Sequence, residues 1–146
     1  APAPRLAGGR AAHRATYEPP ELWRDGVRRD ARALDGARVG LVTALARPER
    51  VARHCARLGL APVVVVRAPD HGPRSRRTER TLSARGREHR VDAWITTEKC
   101  ALSLHGALAA IGAGSSWVLR TPLSLDAEVV RVLATLAALT VPRRSQ

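Results

Sequence analysis

The sequence has no methionine, no phenylalanine and a single tyrosine. With three tryptophans, four aromatic residues serve 146 positions, so the core must be built mainly from aliphatic side chains. The missing start residue leads us to expect a chain that was processed, or cut from something longer. No apolar run approaches the roughly 18 residues of a membrane-crossing helix. Ala1-Pro2-Ala3-Pro4 has neither the charged start nor the apolar stretch of a secretory signal. Two cysteines, Cys55 and Cys100, are too few for a disulfide framework and lack metal-ligand spacing, so free thiols are expected. His13, His54, His89 and His105 show no metal spacing either, and no metal site is expected in this chain. There is no G-x-x-x-x-G-K-[ST] loop and no G-x-G-x-x-G after a strand. Nothing in the sequence can therefore cradle a triphosphate by itself. The absence of G-x-S-x-G and C-x-x-C excludes a hydrolase elbow and a thioredoxin-like redox pair.

What is present is positive charge. The formal net charge is +12, and of the 25 basic residues all but Lys99 are arginine. So one-sided a choice points to a GC-rich coding bias, which weakens charge as a sign of a nucleic-acid partner. A basic face can still attract phosphates or an anionic membrane surface. The length suits one domain with a short appendage, and the 45% hydrophobic fraction is ordinary for a globular chain.

Residues 1–12 are rich in Pro, Gly and Ala and read as loose. Residues 13–33 read as a two-stranded linker region. His13 to Tyr17 forms one strand and Glu21 to Trp23 runs back as the other, between Pro19-Pro20 and the turn signal Asp25-Gly26. An α/β lobe is expected over 34–140. Its first strand is Val39 to Thr43. A helix then opens at Pro48 and carries Val51, Cys55 and Leu58 on one face, with Gly59 as its stop. Val63 to Val66 is apolar throughout, as a strand buried on both faces is. A basic helix over Ser75 to Ala84 precedes a third strand, Asp92 to Thr96. Lys99 to Ala110 reads as a helix broken near His105-Gly106. A fourth strand, Ser116 to Leu119, is followed by a helix that Asp126 can cap, with Val129, Val130, Leu133, Leu136 and Ala137 as its apolar stripe. Residues 141–146 read as a frayed tail. Strands alternating with helices predict a three-layer, Rossmann-like α/β domain with a mostly parallel sheet.

In such sheets ligands bind beyond the carboxyl ends of the strands. That rule selects Ala44-Leu45-Ala46-Arg47, Asp70-His71-Gly72 and Thr97-Glu98-Lys99. His71 is the strongest single candidate, because an imidazole can move a proton near neutral pH. Asp70 is equally a turn former, with His71 simply exposed beside it. Lys99 stands where this chain departs from arginine, which suits a site needing a compact ammonium. Thr97 is placed to cap the next helix, without the Glu or Gln three residues on that completes a capping box. Arg74, Arg76, Arg77 and Arg80 either hold phosphates or form a solvated basic face. Cys55, Trp94 and Trp117 read as core.

These segments, taken in order, resemble one family. Val39-Gly40-Leu41-Val42-Thr43-Ala44-Leu45-Ala46-Arg47-Pro48-Glu49-Arg50 is similar to the segment that opens the second lobe of tetraacyldisaccharide 4′-kinase, the lipid A 4′-kinase. Pro69-Asp70-His71 is similar to that family's Asp-His motif, and Asp92-Ala93-Trp94-Ile95-Thr96-Thr97-Glu98-Lys99 to its Thr-Glu-Lys motif. The resemblance spans about residues 13–139. Ala44 stands where Gly is usual and Val51 where Phe is usual. Gly72 and Arg74 stand where a second His and an aromatic residue are common, and Cys100 replaces an Asp.

The resemblance implies the C-terminal lobe of an enzyme that transfers the γ-phosphoryl group of ATP to the 4′-hydroxyl of a lipid A disaccharide precursor. It implies ATP and Mg2+ as cofactors, held mainly by an N-terminal P-loop lobe outside this chain. The cytoplasmic face of the bacterial inner membrane is the implied location. It makes His71, with Asp70, the catalytic pair, and Lys99, Arg47, Thr97 and Glu98 the nucleotide-side residues. No nucleic-acid partner is expected from it. The alternatives from other classes are a basic nucleic-acid-binding module, which the charge favours, and a non-catalytic remnant of the same fold. Few aromatics and no clustering of them with arginine count against the first.

Overall fold

The computed structural model describes residues 15–69, 76–112 and 116–140, with side chains given as far as residue 137. In chain order the elements are β1 (Ala15–Tyr17), β2 (Glu21–Arg24), β3 (Val27–Arg29), a 3-10 turn (Ala31–Leu34), β4 (Val39–Thr43), α1 (Pro48–Arg57), β5 (Val64–Arg67), α2 (Arg76–Glu88), β6 (Ala93–Thr97), α3 (Glu98–Ala110), β7 (Ser116–Arg120), β8 (Leu123–Leu125) and α4 (Ala127–Thr140). They fall into two compact units, one over Pro19–Thr121 and the other formed by Ala1–Glu18 with Pro122–Gln146.

The larger unit holds a six-stranded sheet in the order β3-β2-β7-β6-β4-β5. The strands β7, β6, β4 and β5 run parallel, while β2 is antiparallel to both β7 and β3. The β2–β3 hairpin turns through Asp25 and Gly26, both at positive φ, which fits the right-handed twist of the flanking strands. Pro48 opens α1 where its missing N–H costs nothing, and Gly59, at φ +76°, follows its end. The alternation of side chains along β4 sends Leu41 and Val42 into separate cores. Leu41 packs with Val51 and Cys55 of α1, and with Ile95 and Trp117. Val42 packs with Leu82 of α2, Leu104 and Leu108 of α3, and Trp94. The result is the expected three-layer α/β arrangement. Cys55 and Cys100 are free and buried, and Trp94 and Trp117 are core.

The smaller unit holds the antiparallel pair β1–β8, in register Ala15↔Leu125 and Tyr17↔Leu123, together with α4. The sequence reading paired the first strand with Glu21–Trp23. Instead β2 joins the main sheet, and the partner of β1 lies more than a hundred residues away. Two other expectations are corrected. The strand β5 is an edge strand, so Val64 and Val66 are buried while Val65 is 44% exposed. Helix α3 runs unbroken through His105-Gly106, because Leu104, Ala107 and Leu108 seat it on the sheet. The hairpin strand β3 and the short strand β8 had no counterpart in the sequence reading.

Candidate functional site

After β4 the chain crosses α1 to β5 on one side. After β5 it crosses α2 to β6 on the other side of β4. The carboxyl ends of β4 and β6 thus flank the point where the winding reverses, which is where α/β sheets of this kind open a crevice. Two of the three segments expected at the site lie at these strand ends: the loop Ala44–Arg47 after β4, and Thr97–Lys99, where β6 runs directly into α3.

The first loop is held from three directions. The Thr43 hydroxyl accepts from the Leu45 N–H at 3.1 Å and turns the chain out of the strand. The Cys100 sulfur, on the first turn of α3, lies 3.4 Å from the Ala44 nitrogen, which donates to it, and 3.7 Å from Thr43 Oγ1. Arg67, at the end of β5, donates from Nη2 to the Ala46 carbonyl at 2.6 Å. Arg47 follows, exposed, at the N-cap position of α1, with no side-chain cap bond.

The β6–α3 junction is tied across β7 to β2. Glu98 Oε1 is 2.9 Å from Arg120 Nη2, and the Arg120 guanidinium lies 4.1 Å from the centre of the Trp23 ring. Trp23 donates to Glu21 at 2.9 Å, and Glu21 meets Arg28 at 3.3 Å. The cap expected of Thr97 is absent: it occupies the N-cap position of α3, but its side chain makes no cap bond. Among the described residues, Oγ1 of both Thr96 and Thr97 is buried without a hydrogen-bond partner. Two unsatisfied hydroxyls at a strand's carboxyl end are the kind of exception that calls for an explanation. Lys99 is exposed on the first turn of α3.

The structure therefore brings Arg47, Thr97, Glu98 and Lys99 to one edge and joins the Ala44 loop to the first turn of α3 through Cys100. Asp70 and His71 lie outside the described residues, as do Gly72 and Arg74. Just before them the Ala68 N–H donates to the Thr43 carbonyl at 3.0 Å, so the chain reaches Pro69 at this same edge. Sequence reasoning missed Arg67, Arg120 and the clip made by Cys100. A charged residue closing an otherwise apolar strand was the available signal for both arginines. Among the described residues no group of three or more His, Cys, Asp or Glu is placed to hold a metal ion, and no helix is long and apolar enough to cross a membrane.

Comparison with known proteins bears on this edge. No protein-family model matches the chain. A tetraacyldisaccharide 4′-kinase of Anaeromyxobacter dehalogenans (strain 2CP-C) is 40% identical over 134 residues, an alignment covering 87% of this chain. The chain is homologous to part of a tetraacyldisaccharide 4′-kinase. It spans about a third of that relative, 33% of its length. Among solved structures, LpxK from Aquifex aeolicus in complex with ATP superposes with a TM-score of 0.51. That likeness covers 92% of this chain and 38% of LpxK, at 15% identity, and speaks for the fold alone. The mixed α/β sheet and its switch point thus belong to a region shared with tetraacyldisaccharide 4′-kinase.

Proposed function

We propose that the chain is the C-terminal lobe of an ATP-dependent lipid kinase that phosphorylates the 4′-hydroxyl of the tetraacyldisaccharide 1-phosphate precursor of lipid A. The observation that carries this reading is the 40% identity over 134 residues to a tetraacyldisaccharide 4′-kinase. The carboxyl-edge arrangement of Arg47, Thr97 and Lys99 supports it. Phosphoryl transfer depends mainly on positioning and on stabilising charge, and closing two lobes can supply both. Bound ATP with Mg2+ supplies the transferred group, held mainly by a P-loop lobe outside this chain.

In this reading the lobe works from across the cleft. Lys99 offers a compact ammonium to phosphate oxygens, and Arg47 a second cation from the facing loop. The unpartnered hydroxyl of Thr97 is a donor waiting for an acceptor. Glu98, engaged by Arg120, serves better to fix the start of α3 than to touch the nucleotide. His71, with Asp70, assists the transfer by holding or moving a proton near neutral pH. Cys100 stands where the family has Asp, yet it still accepts the Ala44 N–H, a bond open to a carboxylate there. The working location is the cytoplasmic face of the inner membrane.

The test is His71→Ala in the full-length protein, assayed with ATP and the disaccharide acceptor. We expect kcat to fall at least tenfold, ~1.4 kcal/mol of barrier. An unchanged kcat removes His71 from the mechanism.

A further inference from the structure

Helix α4 carries far less charge than α2, although both meet solvent. Seven of the thirteen residues of α2 are charged; of the fourteen in α4, Glu128 and Arg131 alone are. Glu128, Arg131 and Thr135, at i, i+3 and i+7, make one narrow polar strip, and apolar or small residues fill most of the remaining circumference. Yet Val130, Val132 and Leu133 are each at least 50% exposed, as is Leu123 of the neighbouring β8. A helix apolar on most sides is the pattern of a buried helix. The β1–β8 ribbon in the same unit has three residue pairs, and two strands alone are marginal in water.

We infer that the apolar surface of α4 and β8 is the face on which the phosphate-binding portion of the kinase packs, an inference that rests on the lobe reading above. The aligned relative extends well beyond this chain, which spans 33% of it. The first and last described residues, Ala15 and Thr140, both lie in the smaller unit. A lipid surface fits less well, because interfacial helices carry a polar face rich in Lys and Arg, and this strip pairs one acid with one base.

Val132→Cys and Leu133→Cys, made separately, turn this surface into a readout, because Cys55 and Cys100 are buried. Maleimide labelling is timed in the 146-residue chain and in the full-length protein. We expect at least tenfold slower labelling at one or both positions in the full-length protein. Amide exchange across α4 in the unsubstituted protein should show the same protection and needs no substitution. Equal rates in the two proteins overturn the inference. Protection that grows with concentration of the 146-residue chain alone overturns it in favour of a second copy. Protection that needs added phosphatidylethanolamine–phosphatidylglycerol vesicles overturns it in favour of a lipid surface. ATP-dependent phosphorylation of the disaccharide, measured on the same full-length sample, tests the lobe reading separately. An active kinase with equal labelling loses only the docking face, and a protected but inactive protein loses only the kinase.

Discussion

Gly40 sits in the middle of β4 and has no room for a methyl group. A Cβ there would lie 2.6 Å from Cζ3 and 2.7 Å from Cε3 of Trp94, its register partner on β6. The indole is buried in a cluster with Val42, Leu82 and Leu104, so moving it disturbs that packing. Overpacking of this kind typically costs ~1–3 kcal/mol. We expect Gly40→Ala to lower the unfolding free energy by that order, read from urea denaturation, and to cost much less in a Trp94→Leu background. Equal losses in the two backgrounds would mean that the ring is not what excludes the methyl group. The sequence marked Trp94 as core but gave no sign of the glycine it needs. A cross-strand contact belongs to the register, which periodicity does not encode. Thr97 is the reverse case. Its type and position announce a cap, but its hydroxyl stays unpartnered, which the sequence cannot foresee.

Among the elements, legibility followed the range of the interactions involved. Helix α1 was readable because Pro48, Gly59 and the Val51–Cys55 face are local signals. The strand β5 was located but misjudged, since an apolar run does not say how many strands flank it. The reversal of winding after β5 leaves it at the edge. Helix α3 looked broken because Gly costs a helix about 1 kcal/mol. Burial of Leu104, Ala107 and Leu108 outweighs that penalty. The β1–β8 pairing was invisible, because two three-residue strands so far apart carry no mutual signal. Of the candidate site, the edge was legible from strand ends alone, whereas the Cys100 clip and the Arg120–Glu98 bridge needed the tertiary arrangement.

One element also carries a pH response. His54 on α1 titrates below its ordinary value of 6.5, first because it is partly buried, then because Arg57, Arg50 and Arg53 surround it on the same helix. The unfolded chain therefore binds a proton at His54 more readily than the folded one as pH falls through about 6.5. By linkage, stability is full above that pH and declines below it. We expect His54→Gln to lose less stability than the parent between pH 7 and pH 5, read from urea midpoints across that range. Parallel profiles would clear His54 of any part in the acid response.

At the scale of the whole molecule, the chain combines a strongly basic charge with a sequence that contains no P-loop. The charge of +12 raises the local concentration of anions, but a diffuse field does not orient a γ-phosphate. Orientation in this class of chemistry comes from a glycine-rich loop whose backbone N–H groups point at the phosphates, with a Lys and a bound metal. The sequence has no such loop, and its one lysine, Lys99, stands on the first turn of α3. The chain spans a third of the kinase it matches, so the rest of that kinase is the natural source of the missing parts. We therefore expect the purified 146-residue chain to transfer no phosphate from radiolabelled ATP to the tetraacyldisaccharide acceptor. The full-length protein, assayed beside it, should do so. Acceptor labelling by the isolated chain above the no-protein background would show that the catalytic parts lie within these residues. The second lobe would then be an enzyme in itself rather than half of one.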